Sequence, residues 1–167
     1  NKSSSLTLDN VTIQGGRAGG GGAIFSAGMV TATNSRFLNN TVTGDGGAIL
    51  GAGGSDITLS NVTISNNRST NGNGGGISTA GRLKLSGSRI SGNTAYSHGG
   101  GLFAMPLIIS QSPSDITIVN STFQGNAANS GGGICVYSAT RISGSVFSDN
   151  TAQANGGAVY AGVGINL

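Results

Sequence analysis

The sequence predicts an all-β solenoid, a right-handed single-stranded parallel β-helix of about six coils, each of about 25 residues with three short strands. Three observations carry that expectation. Two short motifs, one built on glycine and one on asparagine, alternate along nearly the whole chain. The segments between them alternate apolar and polar residues with a period of two, the pattern of a half-buried strand. No ten-residue stretch shows the 3.6-residue apolar period of a helix.

The first motif is Gly-Gly-(Ala/Gly)-aliphatic, at Gly21–Ile24, Gly46–Ile49, Gly74–Ile77, Gly99–Leu102, Gly131–Ile134 and Gly156–Val159. Its aliphatic residue recurs after 25, 28, 25, 32 and 25 residues. The second motif is Phe/Ile-x-x-Asn, at Phe37–Asn40, Ile64–Asn67, Ile90–Asn93, Phe123–Asn126 and Phe147–Asn150, with a degenerate copy at Ile13–Gly16. Each second motif follows a short strand-like segment, such as Leu6-Thr7-Leu8, Val30-Thr31-Ala32, Ile57-Thr58-Leu59, Leu83-Lys84-Leu85 and Ile116-Thr117-Ile118.

Repeats of this length that cannot bury their own apolar face stack into a solenoid, each coil covering the next. The coils span residues 5–28, 29–55, 56–81, 82–114, 115–139 and 140–164, within a single β-helix segment over 1–167. Coil four carries an insertion over 103–114, and Ile165-Asn166-Leu167 reads as the start of a seventh coil, so the segment is expected to belong to a longer solenoid. At about 4.8 Å per coil, six coils make a rod about 30 Å long. The glycine runs suit tight bends or close backbone approach. The aliphatic residue after them and the Phe/Ile of the second motif are expected to point inward. The asparagine of the second motif suits either a left-handed turn position or a ladder of stacked amides. Asn10, Asn34, Asn61 and Asn120 form another such column, with Gly87 and Gly144 at its remaining positions.

Composition narrows the class further. Glycine makes up 32 of the 167 residues and charged residues only 8%, a balance that suggests disorder, yet 36% of residues are hydrophobic and evenly spaced. The net charge of +3 comes from scattered basic residues, with no basic patch and no interleaved aromatics, which argues against nucleic acid. No run approaches the ~18 apolar residues of a membrane helix, so this segment is not expected to insert in a membrane. The chain begins without Met, as a mature protein or a fragment does. Cys135 has no second cysteine to pair with.

The pairing of Gly-Gly-Ala-Ile with Phe-x-x-Asn resembles the repeats of the chlamydial polymorphic outer membrane proteins. The resemblance covers nearly the whole chain. It implies a right-handed β-helix of the autotransporter-passenger kind, displayed on a cell surface in a non-enzymatic, adhesive role. The chain departs from that family in lacking the translocating barrel and in often having Ile where the family has Phe.

Each candidate site has a plain structural role as its alternative. Polysaccharide-cleaving β-helices need acids clustered on one face. The five acids here, Asp9, Asp45, Asp56, Asp115 and Asp149, are dispersed, and the column Asp56, Arg82, Asp115 reads as a charge ladder. His98 aligns with Asp45, Asn73, Ser130 and Asn155 and reads as a turn residue. Cys135 lacks a histidine partner. It belongs to a column of Phe25, Leu50, Ser78, Phe103, Cys135 and Tyr160, which alternation places outward, as a binding stripe or under covering turns. No catalytic, cofactor-binding or metal-binding residue is expected. Phe103, Met105, Leu107, Ile108 and Ile109 of the insertion are candidate partner contacts, because solenoid insertions collect on one face. Asn10, Asn39, Asn61, Asn67 and Asn120 begin Asn-x-Ser/Thr acceptors for N-glycosylation, with Asn39 and Asn67 expected in accessible turns.

The leading expectation is therefore a non-enzymatic extracellular rod, a stalk or adhesin segment that presents side-chain columns to a host or cell-surface protein or glycan. The alternatives are a filament subunit that stacks end to end on copies of itself and, with least support, a carbohydrate-active enzyme.

Overall fold

A computed structural model describes residues 4–105 and 115–162. Within them the chain winds through four parallel sheets of six strands each, every sheet receiving one strand per coil. The third coil shows the pattern: Asp56–Ser60, Thr63–Ser65, Arg68–Ser69 and Ile77–Thr79 lie in the first, second, third and fourth sheets in turn. The expected three strands per coil thus become four. The additional one is the short strand directly after the asparagine motif, which spans only two residues in coils one to four, too few to show a period-two pattern.

Equivalent residues of successive motifs are register partners. Ile24, Ile49, Ile77, Leu102, Ile134 and Val159 form one continuous column in the fourth sheet. Ile13, Phe37, Ile64, Ile90, Phe123 and Phe147 form another in the second. Both columns face inward and, with the alternating residues of the first sheet, make one core running the length of the rod. Phe123 and Phe147 stack nearly parallel at 4.9 Å, the coil repeat read at the ring centroids.

The turns follow from residue type. Asn10, Asn34, Asn61 and Asn120 hold φ between 49° and 55°, and Gly87 and Gly144 hold 56° and 59° at the same position. This left-handed conformation is one that asparagine and glycine adopt at least cost. One residue further on, serine hydroxyls bridge coils: Val11, Val62, Ser88 and Ser121 donate their backbone N–H groups to Ser35, Ser88, Ser121 and Ser145 Oγ at 3.1–3.2 Å.

The asparagine of the second motif does not take the left-handed position. That falls one residue earlier, at Asn39, Asn66, Gly92, Gly125 and Asp149. Asn40, Asn67, Asn93, Asn126 and Asn150 instead point inward as a ladder. Each Oδ1 from Asn67 to Asn150 accepts from both the backbone N and the Nδ2 of the preceding asparagine, at 2.9–3.0 Å. The second Nδ2 hydrogen of Asn67, Asn93, Asn126 and Asn150 goes to the carbonyl of Phe37, Ile64, Ile90 and Phe123. A buried amide with all its donors satisfied in this way escapes the desolvation cost of an unpaired polar group.

Candidate functional site

Four of the five acids serve as fasteners between coils. Asp9 Oδ1 accepts from Thr33 Oγ1 at 2.7 Å and Asn34 Nδ2 at 3.1 Å, and these bonds hold its carboxyl below the usual carboxylate range. Asp45 Oδ1 accepts from the backbone N of Asn73 at 2.7 Å and from its Nδ2 at 3.2 Å. Asp56 pairs with Arg82 at 2.6 Å. Asp149 accepts from Gln124 Nε2 at 3.3 Å. The Asp56, Arg82, Asp115 column is therefore bonded on one side: Arg82 turns to Asp56, and no ion pair between Arg82 and Asp115 occurs among the described residues. No group of three or more His, Cys, Asp or Glu side chains that could hold a metal ion occurs among them either.

His98 lies where the alignment put it. Its Nδ1 is 3.0 Å from Asn73 Oδ1 and 2.6 Å from Ser97 Oγ. Because Asn73 donates its amide nitrogen to Asp45, its oxygen faces the histidine. Asn73 Oδ1 can only accept, so this contact is a hydrogen bond in the tautomer that carries its hydrogen on Nδ1. The Asp45, Asn73, His98 chain ties three coils together at one corner.

The column of Phe25, Leu50, Ser78, Phe103, Cys135 and Tyr160 keeps the outward placement given by alternation but is covered over part of its length. Phe25 is 63% exposed, but Ser78, Phe103 and Cys135 are buried, so the fourth sheet is covered on both faces through coils three to five. His98 lies 5.9 Å from Phe103, and Tyr137 contacts both Phe103 and Tyr160 edge-on. Burial pushes the Cys135 thiol up to about 11, opposed by a hydrogen bond with Tyr137, whose own hydroxyl is raised to about 12, chiefly by burial. A thiol held neutral in this way is no nucleophile at ordinary pH.

Two candidate contacts change accordingly. Phe103 is a packed side chain at 5% exposure, because its ring is covered from the His98 and Tyr137 sides, and it offers no surface for a partner. Met105, beside it, is 45% exposed. Leu107, Ile108 and Ile109 lie outside the described residues. Among the glycosylation acceptors, Asn10, Asn39, Asn61 and Asn120 are exposed. Asn67 is not accessible: its Nδ2, the atom a sugar would take, donates to Phe37 O and Asn93 Oδ1 inside the ladder.

Sequence reasoning missed one surface. On the third sheet a trough of about 470 Å³ crosses coils three to six, between Arg68 and Thr94 on one side and Tyr96, Asn129 and Gln153 on the other, with Ala127 between Thr94 and Thr151. The register slips between Ala128 and Ser130 at this place. The signal in the sequence is slight: Gly131 comes four positions after Ala127, where Gly99 and Gly156 come five positions after Thr94 and Thr151.

None of the helices in the described residues is long and apolar enough to cross a membrane, since the described residues form strands and turns. No curated protein and no solved structure matches the chain. One family does, described as right handed beta helix region, and it matches residues 1–167. The parallel four-sheet winding and a family match over every residue agree, and the chain belongs to the family of right-handed β-helix regions.

Proposed function

We propose that the chain is a non-enzymatic rod displayed at a cell surface, which presents its outer side-chain columns to a partner. The observation that supports this most is the engagement of the acids: Asp9, Asp45, Asp56 and Asp149 each bond the neighbouring coil, at separate corners of the rod. Carboxylates spent on coil-to-coil bonds hold a scaffold in register, whereas glycoside chemistry needs two of them converging on one substrate bond. The resemblance of the motif pair to the polymorphic outer membrane protein repeats supports placement at the surface. Two assays test the reading. Antibodies against the chain should label intact cells of its source, and labelling only after permeabilisation would overturn display. Incubation with common polysaccharides should release no reducing sugar, and release abolished by Asp56→Ala or Asp115→Ala would overturn the non-enzymatic reading.

A further inference from the structure

We propose that Asn10, Asn61 and Asn120 carry N-linked glycans, which stand in a single row at alternate coils along the corner between the first and second sheets. The proposal goes beyond the display reading and rests on it for one thing, since the chain must leave the cytosol to meet the sugar donor.

All six coils turn this corner in the same way. Asn10, Asn34, Asn61, Gly87, Asn120 and Gly144 hold φ between 49° and 59°, so the backbone asks only for asparagine or glycine. Two residues further on, Thr12, Arg36, Thr63, Arg89, Thr122 and Val146 are register partners in one column of the second sheet. That column faces outward, because the next residue of each strand, from Ile13 to Phe147, packs on the core. The strand accepts arginine or valine there as it accepts threonine. Neither the turn nor the strand requires asparagine and threonine together. Yet the two coincide in coils one, three and five, and never in coils two, four and six. Each coincidence completes an acceptor triplet: Asn10-Val11-Thr12, Asn61-Val62-Thr63 and Asn120-Ser121-Thr122.

The geometry leaves room for bulky groups. Alternate coils are about 10 Å apart, twice the coil repeat, whereas acceptors in neighbouring coils would be about 5 Å apart and their sugar chains would collide. Asn10, Asn61 and Asn120 are all exposed. Asn61 Oδ1 lies over Gly87 and Asn120 Oδ1 over Gly144, so close that a Cβ on either glycine would clash. With the amide oxygen against the following coil, the Nδ2 of each is turned away from it. Asn34, in coil two, instead spends its Nδ2 on Asp9 Oδ1, and Asn67 spends its own inside the ladder. Asn39 is exposed as well, but its triplet has no counterpart at Asn66 or Gly92 in the next coils, so it starts no row.

In the transfer, Nδ2 bonds to C1 of the first sugar of an oligosaccharide carried on a polyprenyl diphosphate. The bond from C1 to the diphosphate oxygen breaks, the lipid diphosphate leaves with the electron pair, and Nδ2 gives up one proton. Sugars in this row would cover one corner of the rod and leave the third and fourth sheets open to a partner.

Mass spectrometry of peptides from the chain isolated from its natural source tests the proposal, with fragmentation that keeps each sugar on its residue. Sugar is expected on Asn10, Asn61 and Asn120, and Asn67 is expected bare. Thr63→Val and Thr122→Val, expressed in the same source, should abolish the sugar on Asn61 and Asn120 respectively. Both should leave the fold intact, since Val146 holds the same column position. Bare peptides at the three sites overturn the proposal, and labelling of intact cells then shows whether display falls with it. Sugar on Asn67 of the folded chain, or sugar kept on Asn61 in Thr63→Val, would overturn it too.

Discussion

At the scale of the residue, the asparagine ladder is where one atom matters most. Asn93 Oδ1 accepts from the backbone N and the Nδ2 of Asn67, and its own Nδ2 reaches Ile64 O and Asn126 Oδ1. Asn93→Ala removes all of these at a fully buried position. We expect a loss of about 3 kcal/mol or more in urea denaturation, since each buried group left unpaired costs about 1–3 kcal/mol. Asn39→Gly, one residue before a ladder position but exposed and already left-handed, should cost less than about 0.5 kcal/mol. A second residue-scale expectation concerns pH. The Cys135 thiol is raised from 9.0 to about 11 in the folded chain. The folded state therefore holds this proton more tightly than the unfolded state does. The stability it contributes is intact below about pH 9 and is lost as the pH rises towards 11. Denaturation midpoints measured across that window should fall, and Cys135→Ala should remove this part of the fall, leaving the later one owed to Tyr137 between about 10 and 12.

At the scale of the element, the glycine turn is a packing device as much as a conformational one. Gly74 holds φ at +63°, which favours glycine for its own backbone. Gly75 is not left-handed, yet a Cβ there would come within 2.5 Å of both Gly100 O and Thr94 O, the backbone of the next coil. Neither can retreat without breaking the stack. Gly75→Ala should therefore cost about 1–3 kcal/mol, while Gly19→Ala, facing open space at negative φ, should be neutral within about 0.5 kcal/mol. Thermal unfolding of the two variants side by side checks this.

At the scale of the whole molecule, the rod is a one-dimensional stack in which a residue's worth depends on its coil. Ile77 and Val159 occupy the same register column, but Ile77 is fully buried in coil three and Val159 is 40% exposed in coil six. Ile77→Ala should cost about 2–5 kcal/mol and Val159→Ala about 1 kcal/mol or less. Equal losses in chemical denaturation would overturn this dependence on coil position.

The sequence by itself determined the class of fold, the number of coils and their register, because one coil's motif must meet the next coil's motif at a fixed spacing. Ile24, Ile49 and Ile77 are partners in the sheet because they are equivalent in the repeat. It also placed His98 beside Asn73 and Arg82 beside Asp56, which follow from register alone. Tertiary structure decided what alternation does not specify. In coils one to four the third sheet's strands are two residues long, too short to show a period, so the fourth strand per coil and the trough stayed hidden. Phe103 and Cys135 alternate outward, yet lie buried, and the rings of His98 and Tyr137 pack against Phe103, contacts that no spacing rule supplies. Asn67 satisfies an acceptor motif by its neighbours in sequence, but its amide is enclosed by its neighbours in space. A repeat dictates which residues stack, while the side chains that fold across the stack dictate which of them meet water.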